Sequence, residues 1–197
     1  MPASSATLSS FEPFPELVTP RLLMRRLGPE DAHELFRLQT DADVNRYLGR
    51  APPTREESDA KLARIEADVV AFAGITWGLV PRGPGAGRAG PAIIGTAGFW
   101  RWDKPHAHAE LGYLLAPEHW GRGLVSEAVG AIIAFGFERL GLHRIEANVD
   151  PANAASLRVL DKLGFVREGF LRENWRFGER FLDTVTFGLL AQDRGPG

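Results

Sequence analysis

Two glycines, Gly121 and Gly123, stand where an apolar run ends and an amphipathic run begins. The run at 111–115 is short and apolar and predicts a buried strand, whereas 125–140 has apolar residues at helical spacing. Glycine lets the backbone turn tightly, and the first amides of a helix have no partner within the helix. This order of strand, glycines and helix predicts a phosphate site on the backbone of 121–126, the alternative being a plain strand-to-helix turn.

Glu110 is a carboxylate at the start of an otherwise apolar strand. It is either a paired structural acid or a base beside a bound substrate, and the residues alone leave both open. His106, His108 and Glu110 alternate, so they could project from one strand face as a metal triad. Because Pro105 starts the segment and no fourth ligand has an obvious place, we expect solvated histidines and no metal.

A second glycine motif, at 85–90, has the spacing GxGxxG of dinucleotide-binding folds. That motif must leave a strand and open a helix, but the residues that follow, 92–100, have the pattern of a strand. With Pro81 and Pro84 beside it, the segment is predicted to be a hairpin loop and not a nucleotide site.

The remaining pattern predicts one domain of mixed α/β class, because helices and strands alternate irregularly along the chain. We predict helices at 30–40, 56–72, 125–140 and 154–163, and strands at 22–27, 76–80, 92–100, 110–115, 144–149, 165–177 and 180–190. Residues 1–15 are rich in Ser, Pro and Ala and predict a flexible arm, followed by the domain at 16–191 and a flexible tail at 192–197.

Composition limits the classes of function. The 197 residues are 44% hydrophobic, enough for a sizeable core, and the formal net charge of -2 gives no general field for nucleic acid. No apolar run reaches membrane-spanning length, and the N-terminus lacks the pattern of a signal peptide. The absence of cysteine excludes disulfides, thiolate metal sites and a cysteine nucleophile, and is compatible with a cytoplasmic protein.

The stretch from Trp120 to Ala128, Trp-Gly-x-Gly-x-x-x-Glu-Ala, resembles the pyrophosphate loop of the GNAT superfamily of N-acetyltransferases. This form is that of its Rim-type branch, the ribosomal-protein N-terminal acetyltransferases and their relatives. Trp120 and Val125 depart from the general superfamily pattern, which has Gln or Arg and Gly or Ala there. Further segments at 19–25, 29–32 and 150–165 resemble, in the same order, the first strand, the first helix cap and the last helix of that branch.

The resemblance implies a GNAT fold, with a mixed, mostly antiparallel twisted central sheet flanked by helices, and acetyl-CoA as co-substrate. The pyrophosphate would lie on the loop, and backbone groups of the preceding strand would bind the pantetheine and thioester. Asn153 would hold the pantetheine arm, the alternative being a simple N-cap. The implied cofactor-binding residues are therefore Leu114, Leu115, Gly121, Arg122, Gly123, Leu124, Val125, Ser126 and Asn153.

The resemblance also favours Glu110 as the base, because Glu110-Leu111-Gly112-Tyr113 matches the Glu before Gly-Tyr in Rim-type enzymes. Amines need such help, since an α-amine with a pKa of about 7.7 to 8.0 is mostly protonated at neutral pH. Many GNAT enzymes have a Tyr at the position of Leu160, whereas the Rim-type Ser corresponds to Ser156. We expect Ser156 to donate a hydrogen bond to the departing sulfur, the alternative being a helix-cap hydroxyl.

The predicted function is therefore acetyl-CoA-dependent N-acetyl transfer to a primary amine, with a protein N-terminal α-amine as the favoured acceptor. The absence of cysteine excludes a cysteine-linked acetyl intermediate and so favours direct transfer from CoA to the amine. The alternatives are a small-amine acetyltransferase for a polyamine or aminoglycoside, and a non-catalytic acyl-CoA sensor. A serine hydrolase is disfavoured because no Gly-x-Ser-x-Gly elbow occurs. We expect no nucleic acid or membrane partner, and a monomer or homodimer.

Overall fold

A computed structural model of the chain describes residues 7–82 and 92–193. Its five α-helices are α1 (Ala32–Thr40), α2 (Ala42–Asn45), α3 (Arg55–Val70), α4 (Leu124–Arg139) and α5 (Ala154–Lys162). Its eight strands are β1 (Leu17–Val18), β2 (Leu22–Arg26), β3 (Ile75–Pro81), β4 (Gly95–Asp103), β5 (His108–Leu115), β6 (Arg144–Val149), β7 (Val166–Phe177) and β8 (Arg180–Leu190). The GxGxxG segment at 85–90 lies outside the described residues.

The strands form one sheet in the order β1-β2-β3-β4-β5-β6-β8-β7. Only β5 and β6 pair in parallel, and the other neighbours are antiparallel. The predicted mixed, mostly antiparallel sheet flanked by helices is thereby confirmed. The predicted elements are present with ends shifted by a few residues, but the short β1 and α2 were not predicted.

Side chains alternate between the two faces of the sheet, and each face packs on different helices. On one face Trp77, Phe99 and Leu111 are buried in a core that includes the α4 residues Val129 and Ile132. The other face is covered over β2 and β3, where α1 and α3 contribute to a second buried cluster formed by Leu27, Leu35, Leu38, Val80, Ile93 and Ala116. On that second face, Glu110, Gly112 and Leu114 of β5 therefore lie beyond this helical cover.

The two central strands separate soon after they meet. β5 and β6 are in register only over His108–Glu110 and Arg144–Glu146, although β5 continues to Leu115 and β6 to Val149. Beyond Glu110 the edge of β5 that faces β6 therefore has no strand partner in residues 7–82 and 92–193. This opening in the middle of the sheet exposes backbone amides and carbonyls to a ligand.

The helices α3 and α5 begin with side-chain caps. Thr54 and Glu57 form a reciprocal capping box at the start of α3. Asn153 caps α5, with its side chain accepting a hydrogen bond from the Ser156 amide at 3.1 Å. No helix among the described residues is long and apolar enough to cross a membrane.

Residues 8–15, expected to belong to a flexible arm, pack on the core instead. Phe11 is only 1% exposed and packs against Phe72 in a tilted arrangement, with ring centroids 4.5 Å apart. The Trp77 indole donates to the Pro15 carbonyl at 2.7 Å, and the Leu8 amide donates to the Arg139 carbonyl. The expectation was wrong for this part because isolated aromatics can anchor a segment that shows no helical or strand periodicity.

Candidate functional site

The glycine loop has the backbone form that a phosphate site needs. Gly121 and Gly123 have φ of +71° and +73°, in the left-handed region that favours glycine. A Cβ atom at Gly121 would meet no atom within 4 Å, so the backbone is open to a ligand. Gly123 is the N-cap of α4 and offers no side-chain cap, which leaves the first-turn amides available.

Glu127 fixes this loop to the start of β2. Its carboxylate accepts hydrogen bonds from the Thr19 hydroxyl at 2.6 Å, the Arg21 amide at 2.9 Å and the Arg21 Nε at 2.6 Å. The Arg21 guanidinium also donates to the Arg122 carbonyl at 2.7 Å. Arg21 therefore lies beside the predicted pyrophosphate loop as a cation held in place by Glu127.

The charge state of Glu127 follows from these bonds. Burial acts to raise the pKa of its carboxyl, but the donors from Thr19 and Arg21 outweigh burial and hold that pKa below its usual value. The group is therefore ionised at neutral pH and pairs with Arg21.

The predicted pantetheine contacts lie along the unpartnered edge of β5. Leu114 and Leu115 are opposite Thr96 and Gly95 of β4, close to the glycine loop. The Trp120 indole donates to the Leu115 carbonyl at 2.7 Å, so one acceptor position of that carbonyl is already used. Trp120, which departs from the general GNAT pattern, thus ties the loop to the strand.

Asn153 and Ser156 lie at the start of α5, where Asn153 acts as the N-cap. Tyr113 of β5 is close to Ser156, and its phenol oxygen is buried without a hydrogen-bond partner among the described residues. The Ser156 hydroxyl is near enough to affect the Tyr113 phenol, but the two oxygens do not meet the geometry of a hydrogen bond. Burial raises the pKa of the Tyr113 phenol, Ser156 offsets part of that rise, and the phenol keeps its proton at neutral pH.

Glu110 is 8% exposed and lies where β5 and β6 separate. Its carboxylate accepts a hydrogen bond from Arg101 Nη1 at 3.2 Å and from Asn148 Nδ2 at 3.2 Å. Arg101 reaches it because a bulge in β4 gives this residue a φ of +45°. Asn148 is on β6, so both sides of the opening contribute donors to the carboxylate.

The histidines near Glu110 interact with other acids. His106 Nδ1 is 2.9 Å from Asp103 Oδ1, and His108 Nε2 is 3.1 Å from Glu146 Oε2. Within the described ranges, no group of three potential ligands has the geometry to hold a metal ion.

The surface above Glu110 is bounded by aromatic residues and a long-range contact. Trp100 is opposite Glu110 on β4, and a Cβ atom at Gly112 would lie 3.8 Å from its ring. Across the opening, the Trp175 indole of β7 donates to the Gly49 carbonyl at 2.7 Å. The segment between α2 and α3 therefore meets the β7–β8 hairpin and forms a rim on the second face of the sheet.

Five residues at the site were given no role by sequence reasoning, namely Arg21, Arg101, Tyr113, Glu127 and Asn148. Arg21, Tyr113 and Glu127 were within the matching motifs, so the signal was present without a chemical interpretation. Arg101 depends on a bulge and Asn148 on the parallel pairing of β5 with β6, and neither has a local pattern.

Comparison with known proteins identifies the family of the chain. A family model described as acetyltransferase (GNAT) domain matches residues 21–166. The uncharacterized N-acetyltransferase p20 of Bacillus licheniformis is 36% identical over 90% of this chain and 97% of its own length. The [ribosomal protein uS5]-alanine N-acetyltransferase of Escherichia coli is 30% identical over 92% of this chain and 93% of its own.

A solved structure has the same fold. The spermidine N-acetyltransferase from Vibrio cholerae, in complex with CoA and spermine, has a TM-score of 0.76 at 21% identity, covering 89% of this chain and 98% of its own. The resemblance drawn from the motifs, including its Rim-type branch, is confirmed. The chain belongs to the GNAT family of N-acetyltransferases, enzymes that use acetyl-CoA.

Proposed function

We propose that this enzyme acetylates the N-terminal α-amine of a protein by direct transfer from acetyl-CoA. The observation that carries the proposal is the position of Glu110, a buried carboxylate held by Arg101 and Asn148 at the mouth of the opening between β5 and β6. The similarity of the whole chain to the Escherichia coli [ribosomal protein uS5]-alanine N-acetyltransferase, over nearly the full length of both, supports an α-amine as the acceptor.

Acetyl-CoA supplies an acetyl group activated as a thioester. The amides of 121–126 bind the pyrophosphate, with Arg21 as a nearby cation, and the free edge of β5 at Leu114 and Leu115 binds the pantetheine. The side-chain oxygen of Asn153 accepts the Ser156 amide, and its NH2 group donates to the pantetheine arm. This binding presents the carbonyl carbon beside Glu110.

Glu110 removes a proton from the incoming ammonium, directly or through a water molecule. The neutral amine then attacks the carbonyl carbon, a C–N bond forms, and the C–S bond breaks. The hydrogen bonds from Arg101 and Asn148 orient the carboxylate. Glu110 keeps the proton taken from the ammonium, and the departing sulfur carries the electron pair of the broken C–S bond. The second proton, which the nitrogen loses once the C–N bond has formed, passes to that sulfur to give the CoA thiol.

The sulfur is stabilised from the other face of β5. Tyr113 and Ser156 lie on that face, because side chains at 110 and 113 point in opposite directions along a strand. Ser156 donates a hydrogen bond to the departing sulfur, and the protonated Tyr113 phenol beside it supplies a second donor. Glu110 thus acts on the attacking amine from one face of β5, whereas Ser156 and Tyr113 act on the departing sulfur from the other face.

The polyamine alternative requires an acidic surface, and four of the acids between Asp41 and Asp59 already have partners within the chain. Asp41 caps α2, Asp43 pairs with Arg46, Glu57 belongs to the capping box of α3, and Asp59 pairs with Arg55. A polycation such as spermidine or an aminoglycoside would therefore find little free negative charge on this side.

A competition assay tests the proposal. The purified enzyme is given acetyl-CoA and an N-terminal peptide, with spermidine and an aminoglycoside as rival acceptors, and products are identified by mass spectrometry. We expect the peptide α-amine to have the largest kcat/KM. A preference for either small amine would overturn the N-terminal assignment, and binding of acetyl-CoA without turnover on any amine would favour the sensor.

A further inference from the structure

Three cations beside the rim form no ion pair within the described residues. Arg50 follows Gly49 in the segment that meets Trp175, and Lys61 and Arg64 lie on α3. Arg50 and Arg64 both act electrostatically on Lys61. In the part of the chain that the structure describes, none of the three has a hydrogen bond or an ion pair.

Their environment makes this arrangement unfavourable without an anion. Burial lowers the pKa of Lys61 to about 8, and the neighbouring Arg50 and Arg64 act in the same direction. Burial also lowers the pKa of Arg50. Arg50 and Lys61 are partly buried, whereas Arg64 is exposed. Because like charges repel one another, an anion bound among the three would offset the repulsion and the penalty of desolvating Arg50 and Lys61.

The helical period places this cluster on the flank of α3 that faces the opening. Ser58, Leu62, Ile65 and Val69 form the inward stripe of α3, with Ser58 and Val69 fully buried. One flank of that stripe, Arg55, Asp59, Ala63 and Glu66, faces a groove of about 650 Å³ beside Gly28 and Pro29 at the outer end of β2. With 3.6 residues per turn, Lys61, Arg64 and Asp68 fall on the opposite flank.

Asp68 shows where that opposite flank points. A Cβ atom at Gly74 would lie 3.7 Å from Asp68 Cβ and 4.0 Å from Trp100 Cα. Trp100 is the β4 residue opposite Glu110. The flank with Lys61 and Arg64 therefore faces the Glu110 side of the sheet and not its outer edge.

We propose that Arg50, Lys61 and Arg64 form an anion subsite that binds a carboxylate of the acceptor, so that the preferred substrate is an acidic N-terminal peptide. This inference rests on the proposed function and names its substrate class. The subsite orients the acceptor through residues that follow its α-amine, while Glu110 acts on the amine itself. A polycationic acceptor would be repelled by the same charges.

The test compares three synthetic peptides that begin with Ala and continue with acidic, neutral amide or basic residues. We expect the unchanged enzyme to favour the acidic peptide over the neutral one by about tenfold in kcat/KM, as for a hydrogen bond to a charged group. In the combined variant Arg50→Gln, Lys61→Met and Arg64→Gln this preference disappears, whereas activity on the neutral peptide and CoA affinity stay unchanged.

Arg55→Gln is the matched control, because Arg55 is on the other flank of α3 and pairs with Asp59. It should keep the preference for the acidic peptide, and thermal melting verifies that each variant folds. Equal kcat/KM for acidic and neutral peptides in the unchanged enzyme overturns the subsite.

If no peptide is acetylated, the proposed function fails and the subsite is tested with free glutamate and glutamine as α-amine acceptors. A preference for glutamate that the combined variant loses supports the subsite. Equal use of the two, or acetylation of neither while spermidine is used, overturns it.

Discussion

The co-substrate side and the acceptor side of the opening are built in different ways. The glycine loop takes its form from neighbouring residues, with Gly121 and Gly123 at positive φ and α4 starting immediately after them. The environment of Glu110 comes from Arg101, nine residues earlier, and Asn148, 38 residues later. The rim joins Gly49 to Trp175, 126 residues apart. The loop proposed to bind the co-substrate is thus built mainly from neighbouring residues, with the contacts of Glu127 to Thr19 and Arg21 as its distant anchor. The site proposed for the acceptor is assembled over long distances.

The largest expected effect tests whether the acceptor side carries the chemistry. Glu110→Gln should lower kcat/KM by about a hundredfold to ten-thousandfold, typical of a lost general base, with CoA affinity nearly unchanged. The loss should shrink as the pH rises past about 8, where an α-amine deprotonates unaided. Steady-state kinetics from pH 6 to pH 9.5 measure both effects.

Glu146→Gln is the matched control for that experiment. Glu146 is in register with Glu110 on the neighbouring strand, where it interacts with Arg144 and His108. We expect it to retain near-full activity. Full activity of Glu110→Gln at neutral pH would instead make Glu110 a structural acid.

This contrast also explains what the sequence could predict. Nearly all helices and strands follow from periodicity, and the glycine loop follows from its place between β5 and α4. The packing of Phe11 was missed because it depends on contact with Phe72, 61 positions away, and the bulge at Arg101 was missed because it reflects pairing between β4 and β5. Interactions between distant segments produce no periodic pattern of apolar residues along the sequence, so such patterns cannot predict them.

The second prediction concerns the glycine loop at Gly121 and Gly123. Gly123→Val places a β-branched residue at a φ of +73°, a strain of about 1–3 kcal/mol that the loop can relieve only by changing shape. We expect CoA to bind roughly ten to a hundred times more weakly by calorimetry, since 1.4 kcal/mol is a factor of ten. Gly178→Val, at a φ of +60° in the β7–β8 turn with nothing within 4 Å, should leave CoA affinity unchanged.

A smaller effect tests how far the glycine loop depends on the contact between Glu127 and Arg21. Glu127→Gln removes the charge that holds Arg21 beside the loop, which should weaken CoA binding by about tenfold and lower the free energy of unfolding by about 1–3 kcal/mol. The exposed Glu179→Gln is the control and should change neither. An unchanged CoA affinity in a folded Glu127→Gln protein would show that Arg21 does not contribute.

The same variant carries a pH signature with a defined sign. Because the folded-state pKa of Glu127 lies below its usual value, its charge stabilises the fold above the unfolded pKa of about 4.3. That contribution is lost as the pH falls through the lower folded pKa. The difference in unfolding free energy between the unchanged protein and Glu127→Gln should therefore be full at pH 6 and shrink below pH 4.

The smallest effects concern the donors to the departing sulfur. Ser156→Ala and Tyr113→Phe should each lower kcat by about three- to tenfold, the worth of one hydrogen bond, without changing CoA affinity. If the two donors share the sulfur, the double variant should lose more than either single one. No loss in the double variant would remove both residues from the reaction.

The short parallel contact between β5 and β6 has a consequence for folding cooperativity. Among the described residues, only three residue pairs join the strands β1–β5 to the group β6, β8 and β7 within the sheet, so this junction is a weak seam where local opening should be frequent. A ligand bound along the free edge of β5 supplies hydrogen bonds that a neighbouring strand would otherwise make. At a hundredfold excess over its Kd such a ligand stabilises the folded state by about 2.7 kcal/mol. Amide hydrogen exchange at the seam should therefore slow when CoA is added, making the co-substrate a temporary structural element of the sheet.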